Sequence, residues 1–192
     1  MTDAQWLRPL DSVIKDLPEN CWIAGGCMRS FLVGEKAKDI DIFTAEPDKV
    51  IANLEGKDGF KKTFGNDFFQ NFKHKDLTYQ VIKKYVYNSP KETIDSFDFT
   101  LISAAYSKAG FIAHERFYLD NAQKRLVIHN LPLPLSTLKR SLKYAARGYR
   151  LCPVSLSRLA RSINELKIDW DNPDENQIDF YPDGTPTFRG KD

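Results

Sequence analysis

Metal-site and disulfide patterns are missing from this sequence, which has three cysteines and three histidines among 192 residues. Cys21, Cys27 and Cys152 are an odd number at no ligand spacing, and the histidines are scattered. These facts argue against disulfides and structural zinc. Also missing are an apolar run of about 18 residues and the basic-then-apolar layout of a signal peptide. We therefore expect a cytoplasmic protein without a membrane partner.

Acidic residues are missing between Asp120 and Glu165. Nine basic residues occupy that stretch: Lys124, Arg125, Lys139, Arg140, Lys143, Arg147, Arg150, Arg158 and Arg161. From Glu165 onward the balance reverses to acidic. Such blocks predict a segment that faces a polyanion, followed by an acidic tail.

The composition is that of a folded protein, with 42% hydrophobic and 12% aromatic residues. Its length fits one domain, or one domain with a small helical appendage. Hydrophobic patterns predict strands at CWIA, KDIDIFT, FKKTFGNDFFQNF and LTYQVIKKYVY, and helices over 3–16 and 47–54. The run DFTLISAAYS fits either a strand or a buried helix. A closing hairpin is predicted in DFYPDGTPTF.

Two helices are predicted near the end, over 136–150 and 154–167. In the first, Leu138, Leu142, Ala145 and Tyr149 share a face that we expect to pack. The opposite face carries Arg140, Lys143, Arg147 and Arg150. A stripe of this kind on a single helix is usually only solvated, but the surrounding lack of acids favours a phosphate-binding or RNA-binding surface.

Two carboxylates are predicted on one side of a strand in the stretch CWIAGGCMRSFLVGEKAKDIDIF. Side chains alternate along a strand, so Asp39 and Asp41 point the same way while Ile40 and Ile42 point into the core. Adjacent like charges persist most readily where a cation neutralises them. Mg²⁺ commonly binds one or two carboxylates together with substrate phosphates.

A glycine pair precedes these carboxylates. Gly25 and Gly26 permit close backbone approach where a short helix begins, and free amides at a helix start attract phosphate. Arg29 would add a charged fork to the same phosphate. Each signal alone is weak, since many D-x-D pairs only decorate a surface strand. The order of strand, glycine pair, helix and D-x-D strand favours a site for a metal-bound polyphosphate.

The stretch GGCMRSFLVGEKAKDIDIFT resembles the head domain of the nucleotidyltransferases that add CCA to tRNA or polyadenylate RNA. Their signature reads approximately GG-x-x-R-D followed by D-h-D-h. FDFTLISAAY resembles the family's D-F-T segment, FYLDNAQKRLVIHN its linking segment and LKRSLKYAARGYRL its neck helix. The likeness covers about residues 21–150 and extends to short, phage-type relatives that lack the large helical body.

The resemblance implies a polymerase-beta-like nucleotidyltransferase fold, an α/β (α+β) arrangement with a mixed sheet of about five strands and flanking helices. Asp39 and Asp41 would hold Mg²⁺ or Mn²⁺. Gly25, Gly26, Arg29 and Lys38 would bind the nucleotide, and Asp98 would meet the ribose hydroxyl and belong to the catalytic set. NTP and RNA or tRNA are the implied partners.

The sequence also departs from this family's pattern. The family's R-D pair is Arg29-Ser30, and its third carboxylate position is Gln80. A neutral amide is a weaker ligand for Mg²⁺, so either another acid such as Asp95 or Asp98 substitutes, or catalysis is slow or absent. The residues that select C and A in tRNA-finishing enzymes are replaced by Leu133, Pro134 and Thr137. CCA templating is therefore not expected.

The sequence thus predicts three parts: a nucleotidyltransferase head over 1–135, a helical neck over 136–168 and an acidic segment with a small hairpin over 169–192. The first hypothesis for function is NMP transfer from an NTP to RNA or tRNA. A non-catalytic nucleotide- or RNA-binding module of the same fold is the second. Transfer to a protein hydroxyl or a small molecule is the third.

Overall fold

The computed structural model describes residues 4–166, 178–180 and 186–188. The chain divides into two compact units. The first contains the described residues up to Phe97 together with Leu101–Phe117. The second contains Asp98–Thr100 and the described residues from Tyr118 onward. The division into head, neck and acidic segment stays a prediction.

Seven helices are present: α1 (Ala4–Asp16), α2 (Gly26–Leu32), α3 (Pro47–Glu55), α4 (Pro90–Ser96), α5 (Phe117–Ala122), α6 (Pro134–Ala145) and α7 (Pro153–Asn164) in the described part of the chain. Strands in the first unit are β1 (Cys21–Ala24), β2 (Asp39–Thr44), β3 (Lys61–Gly65), β4 (Phe69–His74), β5 (Leu77–Ile82), β6 (Ala104–Ser107) and β7 (Gly110–Ala113). Four shorter strands follow: β8 (Arg125–Leu126), β9 (Arg150–Leu151), β10 (Ile178–Phe180) and β11 (Pro186–Phe188). Among these described residues no helix is long and apolar enough to cross a membrane.

The first unit is built on a mixed sheet with the strand order β3-β4-β5-β2-β1-β6-β7. Its pairs are antiparallel except for β2 with β5, which is parallel. The predicted fold class is confirmed, but the predicted number of about five strands is wrong because the sheet has seven. Strand β7, which has four residues and begins at Gly110, was not predicted.

The main core of the first unit lies on one face of this sheet. Helix α1 contributes apolar side chains at helical spacing, including Leu7, Leu10 and Ile14. Strand β2 contributes Ile40 and Ile42, which have no exposed surface. The other face has a smaller apolar cluster that includes Trp22 and Phe43. Only part of that second face is apolar, and the rest carries the predicted site.

The run DFTLISAAYS is neither one strand nor one helix. Thr100–Ile102 form a 3₁₀ turn, and β6 begins at Ala104. The apolar residues of the run are buried in both halves, with Leu101 and Ala105 fully covered. Continuous burial explains why the pattern could not distinguish between the two alternatives.

Helix α6 corrects two predictions. It ends at Ala145 and not at residue 150, because Gly148 has a positive φ of 83° and Arg150 pairs with Arg125 in a short parallel ladder. Its packed face is also different from the predicted one. Leu142 is 64% exposed. The buried positions of the helix are Pro134, Leu135, Ser136, Thr137, Ser141 and Tyr144.

The predicted closing hairpin is present as an antiparallel pair of β10 with β11. Its turn residues Pro182, Asp183 and Gly184 lie outside the described residues. Most of the predicted acidic segment lies outside them as well.

Candidate functional site

The two carboxylates of β2 lie on one side of the strand. Asp39 is exposed and Asp41 half-buried, whereas Ile40 and Ile42 between and after them are buried. The alternation predicted from the sequence therefore describes the strand correctly. The same alternation continues to Phe43, which packs with Trp22 on the carboxylate face.

The glycine turn lies beside the second carboxylate. Gly25 has a φ of 89° and a ψ of −142°, a backbone conformation that only glycine adopts readily. A Cβ atom placed on Gly25 would lie 3.9 Å from Asp41 Oδ2 and 3.6 Å from the Phe97 ring. The Gly25 amide donates to the carbonyl of Ala104 at 3.2 Å, which fixes the turn against β6. The structure thus brings together two features that are 16 residues apart in the sequence.

Gln80 occupies the neighbouring position on β5. It is in register with Asp41 across the parallel pair, so the two side chains share a face of the sheet. Gln80 is buried, and its Nε2 donates to Asn71 Oδ1 at 2.8 Å. Asn71 is in register with Gln80 on β4. Gln80 and Asn71 therefore form an amide row that extends from Asp41 across β5 and β4.

Asn71 was not predicted as a site residue. Side chains alternate along β4, so Asn71 lies on the face of the sheet opposite to that of Phe72, which is buried in the main core. The period of two in the stretch FQNFKH is the signal that could have found it.

Arg29 does not extend from the glycine turn into solvent. Its side chain is 1% exposed and forms an ion pair with Glu35. The other terminal nitrogen of the guanidinium, Nη1, donates to Glu35 Oε1 at 3.4 Å. Its predicted role as a phosphate ligand stays a prediction, and that role requires a phosphate to compete with the Glu35 carboxylate.

Two further residues border the carboxylates. Lys38 is exposed and directly precedes Asp39. Cys27 is buried on α2, and burial raises the pKa of its thiol, with the charge of Asp41 raising it further. The thiol therefore stays protonated at neutral pH and adds no negative charge beside Asp41.

Asp98 belongs to the second unit and is 3% exposed. Its Oδ2 accepts hydrogen bonds from Thr137 Oγ1 at 3.1 Å and from Arg140 Nε at 2.7 Å. Both donors lie on α6. The carboxylate thus anchors this helix, and its predicted contact with a ribose hydroxyl stays a prediction. Asp95, the other proposed substitute for a third carboxylate, forms an ion pair with Lys91 along α4.

The four basic residues predicted on one helix are distributed differently. Arg140 lies on the buried side of α6 with Thr137, and its side chain is 31% exposed. Lys143 is exposed on α6. Arg147 and Arg150 are exposed but lie after the helix. A continuous helical stripe is therefore absent among the described residues, while the predicted RNA contacts of the individual side chains stay predictions.

The arrangement on β2 suits a divalent cation that is shared with a substrate. In the described part of the chain, no group of three or more histidine, cysteine or acidic side chains could hold a metal alone. Two carboxylates are nevertheless the usual protein share of a Mg²⁺ site that is completed by water and substrate phosphates. Asp39 and Asp41 fit that share.

Comparison with known proteins gives a family. The model of that family, described as "Gabija anti-defense 2 family protein", matches residues 4–124. The chain belongs to the Gabija anti-defense 2 family. The match covers β1, β2 and the glycine turn of this family member, and therefore the candidate site. Among the curated proteins none matches the sequence.

Solved structures support the fold of this family member. A CCA-adding enzyme in apo form I matches it with a TM-score of 0.66 at 16% identity, over 84% of this chain and 45% of that one. A tRNA nucleotidyltransferase complexed with a primer tRNA and an incoming ATP analog matches with a TM-score of 0.60 at 20% identity, over 75% and 46%. A Thermotoga maritima CCA-adding enzyme complexed with tRNA matches with a TM-score of 0.60 at 18% identity, over 85% and 43%. The chain spans less than half the length of each.

Proposed function

We propose that the chain is a metal-dependent nucleotidyltransferase that moves a nucleoside monophosphate from an NTP to an acceptor. The observation that carries this proposal is the juxtaposition in the first unit, where Gly25 lies beside Asp41 and Asp39 shares the same face of β2. Close backbone approach and paired carboxylates are together what a metal-bound triphosphate requires.

The chain's own residues have separate tasks in this reaction. Asp39 and Asp41 would hold Mg²⁺ or Mn²⁺, which supplies charge stabilisation on the phosphates. The absence of a Cβ at Gly25 leaves room beside Asp41 for a phosphate to approach the backbone. The acceptor hydroxyl oxygen forms a bond to the alpha phosphorus, its proton is released and the bond to pyrophosphate breaks. The chain contributes mainly positioning and electrostatics.

RNA or tRNA is the acceptor class that the charge pattern favours. Between Asp120 and Glu165 the sequence has nine basic residues and no acidic one, and contacts of basic side chains with phosphates dominate nucleic-acid affinity. The base-selecting residues of CCA-adding enzymes are replaced, so the proposal does not include CCA templating. Because the chain belongs to the Gabija anti-defense 2 family, we propose that this activity counters a Gabija defence.

A non-catalytic module that binds nucleotide or RNA is the second candidate. The observation that favours it is Gln80, which puts a neutral amide in register with Asp41 and directs its Nε2 to Asn71. A site with two carboxylates and an amide could bind a metal-bound triphosphate without supplying the charge that rapid transfer needs.

The test is an incubation of the purified protein with Mg²⁺ or Mn²⁺, each alpha-labelled NTP and total RNA. We expect labelled RNA from the wild type and none from Asp39→Asn or Asp41→Asn. Asp76→Asn is the matched control, because Asp76 is an exposed carboxylate in the turn between β4 and β5. Equal product from all four proteins would overturn the proposal. Label on protein and not on RNA would move the acceptor to a protein hydroxyl.

A further inference from the structure

A second polar row runs beside the amide row on the carboxylate face of the sheet. Asp39 on β2 is in register with Thr78 on β5, and Thr78 is in register with Lys73 on β4. Lys73 is in turn in register with Lys61 on β3. Residues in register share a face of a sheet, so the row leads from a carboxylate to Lys73 on β4 and then to Lys61 on the edge strand β3.

The two lysines of this row carry unneutralised positive charge. Both Lys61 and Lys73 are exposed, and neither forms an ion pair within the described residues. Their neighbour Lys62 behaves differently. It is in register with the buried Phe72 on the opposite face and pairs with Glu55 of α3. Strand β3 thus places Lys61 on the carboxylate face. The next residue, Lys62, lies on the opposite face, where Glu55 neutralises its charge.

An exposed aromatic ring lies on the same face. Phe64 is 65% exposed, and its centroid is 5.8 Å from that of Phe69. Phe69 alternates with Asn71 and Lys73 along β4, which places it on the carboxylate face. The two rings are tilted by 59°, so Phe64 contacts Phe69 and still leaves most of its own surface open to solvent.

The edge that carries Phe64 is held in place by side chains as well as by the ladder. The pairing of β3 with β4 is irregular between Lys62 and Gly65. Gln70 Nε2 bridges this irregularity by donating to the Thr63 carbonyl at 3.1 Å. In the adjoining turn, Asn66 Oδ1 accepts from the amide of Phe68 at 2.9 Å. Such irregularities re-aim side chains at sheet edges.

We propose that this surface, made of Lys61, Phe64 and Lys73, binds a single-stranded polynucleotide and leads its end toward Asp39 and Asp41. Proteins bind single strands by combining backbone-tracking positive charge with aromatic rings that stack on bases. Strands of a sheet are about 4.8 Å apart, so Lys73 lies about 10 Å and Lys61 about 14 Å from Asp39 along the row. This inference rests on the proposed function, since it identifies where that site takes its acceptor.

The test is a fluorescence anisotropy titration of labelled oligouridine and oligothymidine in EDTA without NTP, at several salt concentrations. We expect Phe64→Ala to weaken binding by about 5- to 150-fold with an unchanged salt slope, since stacking is lost. The double variant Lys61→Ala with Lys73→Ala should lower the slope of log affinity against log salt by about 1.4. Lys62→Ala is the matched control and should bind as the wild type does.

The outcomes separate this inference from nucleotidyl transfer. Wild-type affinity and slope in the Phe64 and double-lysine variants, or absence of binding by the wild type, would overturn the inference even if Asp39-dependent transfer is observed. Reduced binding in those variants would support it even if no transfer is detected. A preference for oligouridine over oligothymidine would support RNA as the acceptor, and the reverse preference would support DNA.

Discussion

Gly25 connects backbone conformation to the site. Its φ of 89° with a ψ of −142° lies in a region that other residues enter at a cost of about 1–3 kcal/mol. We expect Gly25→Ala to lower the free energy of unfolding by about that amount, as measured by urea denaturation. Gly26→Ala is the matched control, because a Cβ there would have no atom within 4 Å and alanine favours the helix by up to about 1 kcal/mol. Equal stability of the two variants would contradict the account of the turn.

Gln80 is neutral, so the candidate site has two carboxylates, Asp39 and Asp41, and not three. A glutamate there would place a third carboxylate in register with Asp41. We expect Gln80→Glu to bind Mn²⁺ about ten-fold more tightly or better, because a carboxylate attracts a hard cation more strongly than an amide does. Titration followed by electron paramagnetic resonance measures this. Gln123→Glu adds the same charge at an exposed position of the second unit and serves as control. The same increase in both variants would indicate a general charge effect and not a site.

Some residues of the site could be predicted from the sequence and others could not. Alternation was sufficient to place Asp39 and Asp41 on one side, because β2 has a buried face that fixes which residues point inward. Asn71 was missed although its strand was predicted. Its importance comes from pairing with Gln80, and strand pairing depends on the fold and not on either strand's own pattern.

Helix α6 shows where a local pattern misleads. The sequence of this region contains two sets of residues at helical spacing, one apolar and one basic. The apolar set predicts the face of the helix that packs against the rest of the protein. The structure buries Thr137 and Ser141 and exposes Leu142. The reason lies at Asp98, whose carboxylate attracts Thr137 and Arg140 to its own side of the helix. A partner 39 residues upstream cannot be found from the spacing within one helix.

The anchoring of α6 gives a prediction for the Asp98 and Arg140 pair. Removing Asp98 leaves a guanidinium and a hydroxyl without their acceptor. We expect Asp98→Ala to lower the free energy of unfolding by about 1.5–3 kcal/mol. A double-mutant cycle with Arg140→Ala should give a coupling of at least about 0.5 kcal/mol in chemical denaturation.

The control for that cycle is Arg161→Ala, an exposed arginine on α7, which should change stability by less than about 0.5 kcal/mol. Strict additivity of the Asp98 and Arg140 substitutions would show that the ion pair does not hold the helix. RNA-binding tests of the basic stretch are then better made at Arg147 and Arg150. Loss of Arg140 would combine a stability effect with any change in affinity.

For the whole molecule, the sequence predicted the fold class and most of the strands. It did not give the strand order, because the parallel pairing of β2 with β5 joins segments that are separated by α3 and two further strands. It also did not give β7, because GFIA is a short apolar run that begins with a glycine and shows no alternation of polar and apolar residues. The resemblance to nucleotidyltransferase head domains supplied the architecture that alternation alone could not.

That architecture makes one claim central, namely that Asp39 and Asp41 hold a divalent cation together with a triphosphate. Calorimetric titration with a non-hydrolysable NTP analogue, in Mg²⁺ and in EDTA, tests it without requiring turnover. We expect binding by the wild type in Mg²⁺, and loss of that binding both in EDTA and in Asp41→Asn. Binding of the same strength by wild type and Asp41→Asn, or binding that persists in EDTA, would contradict it.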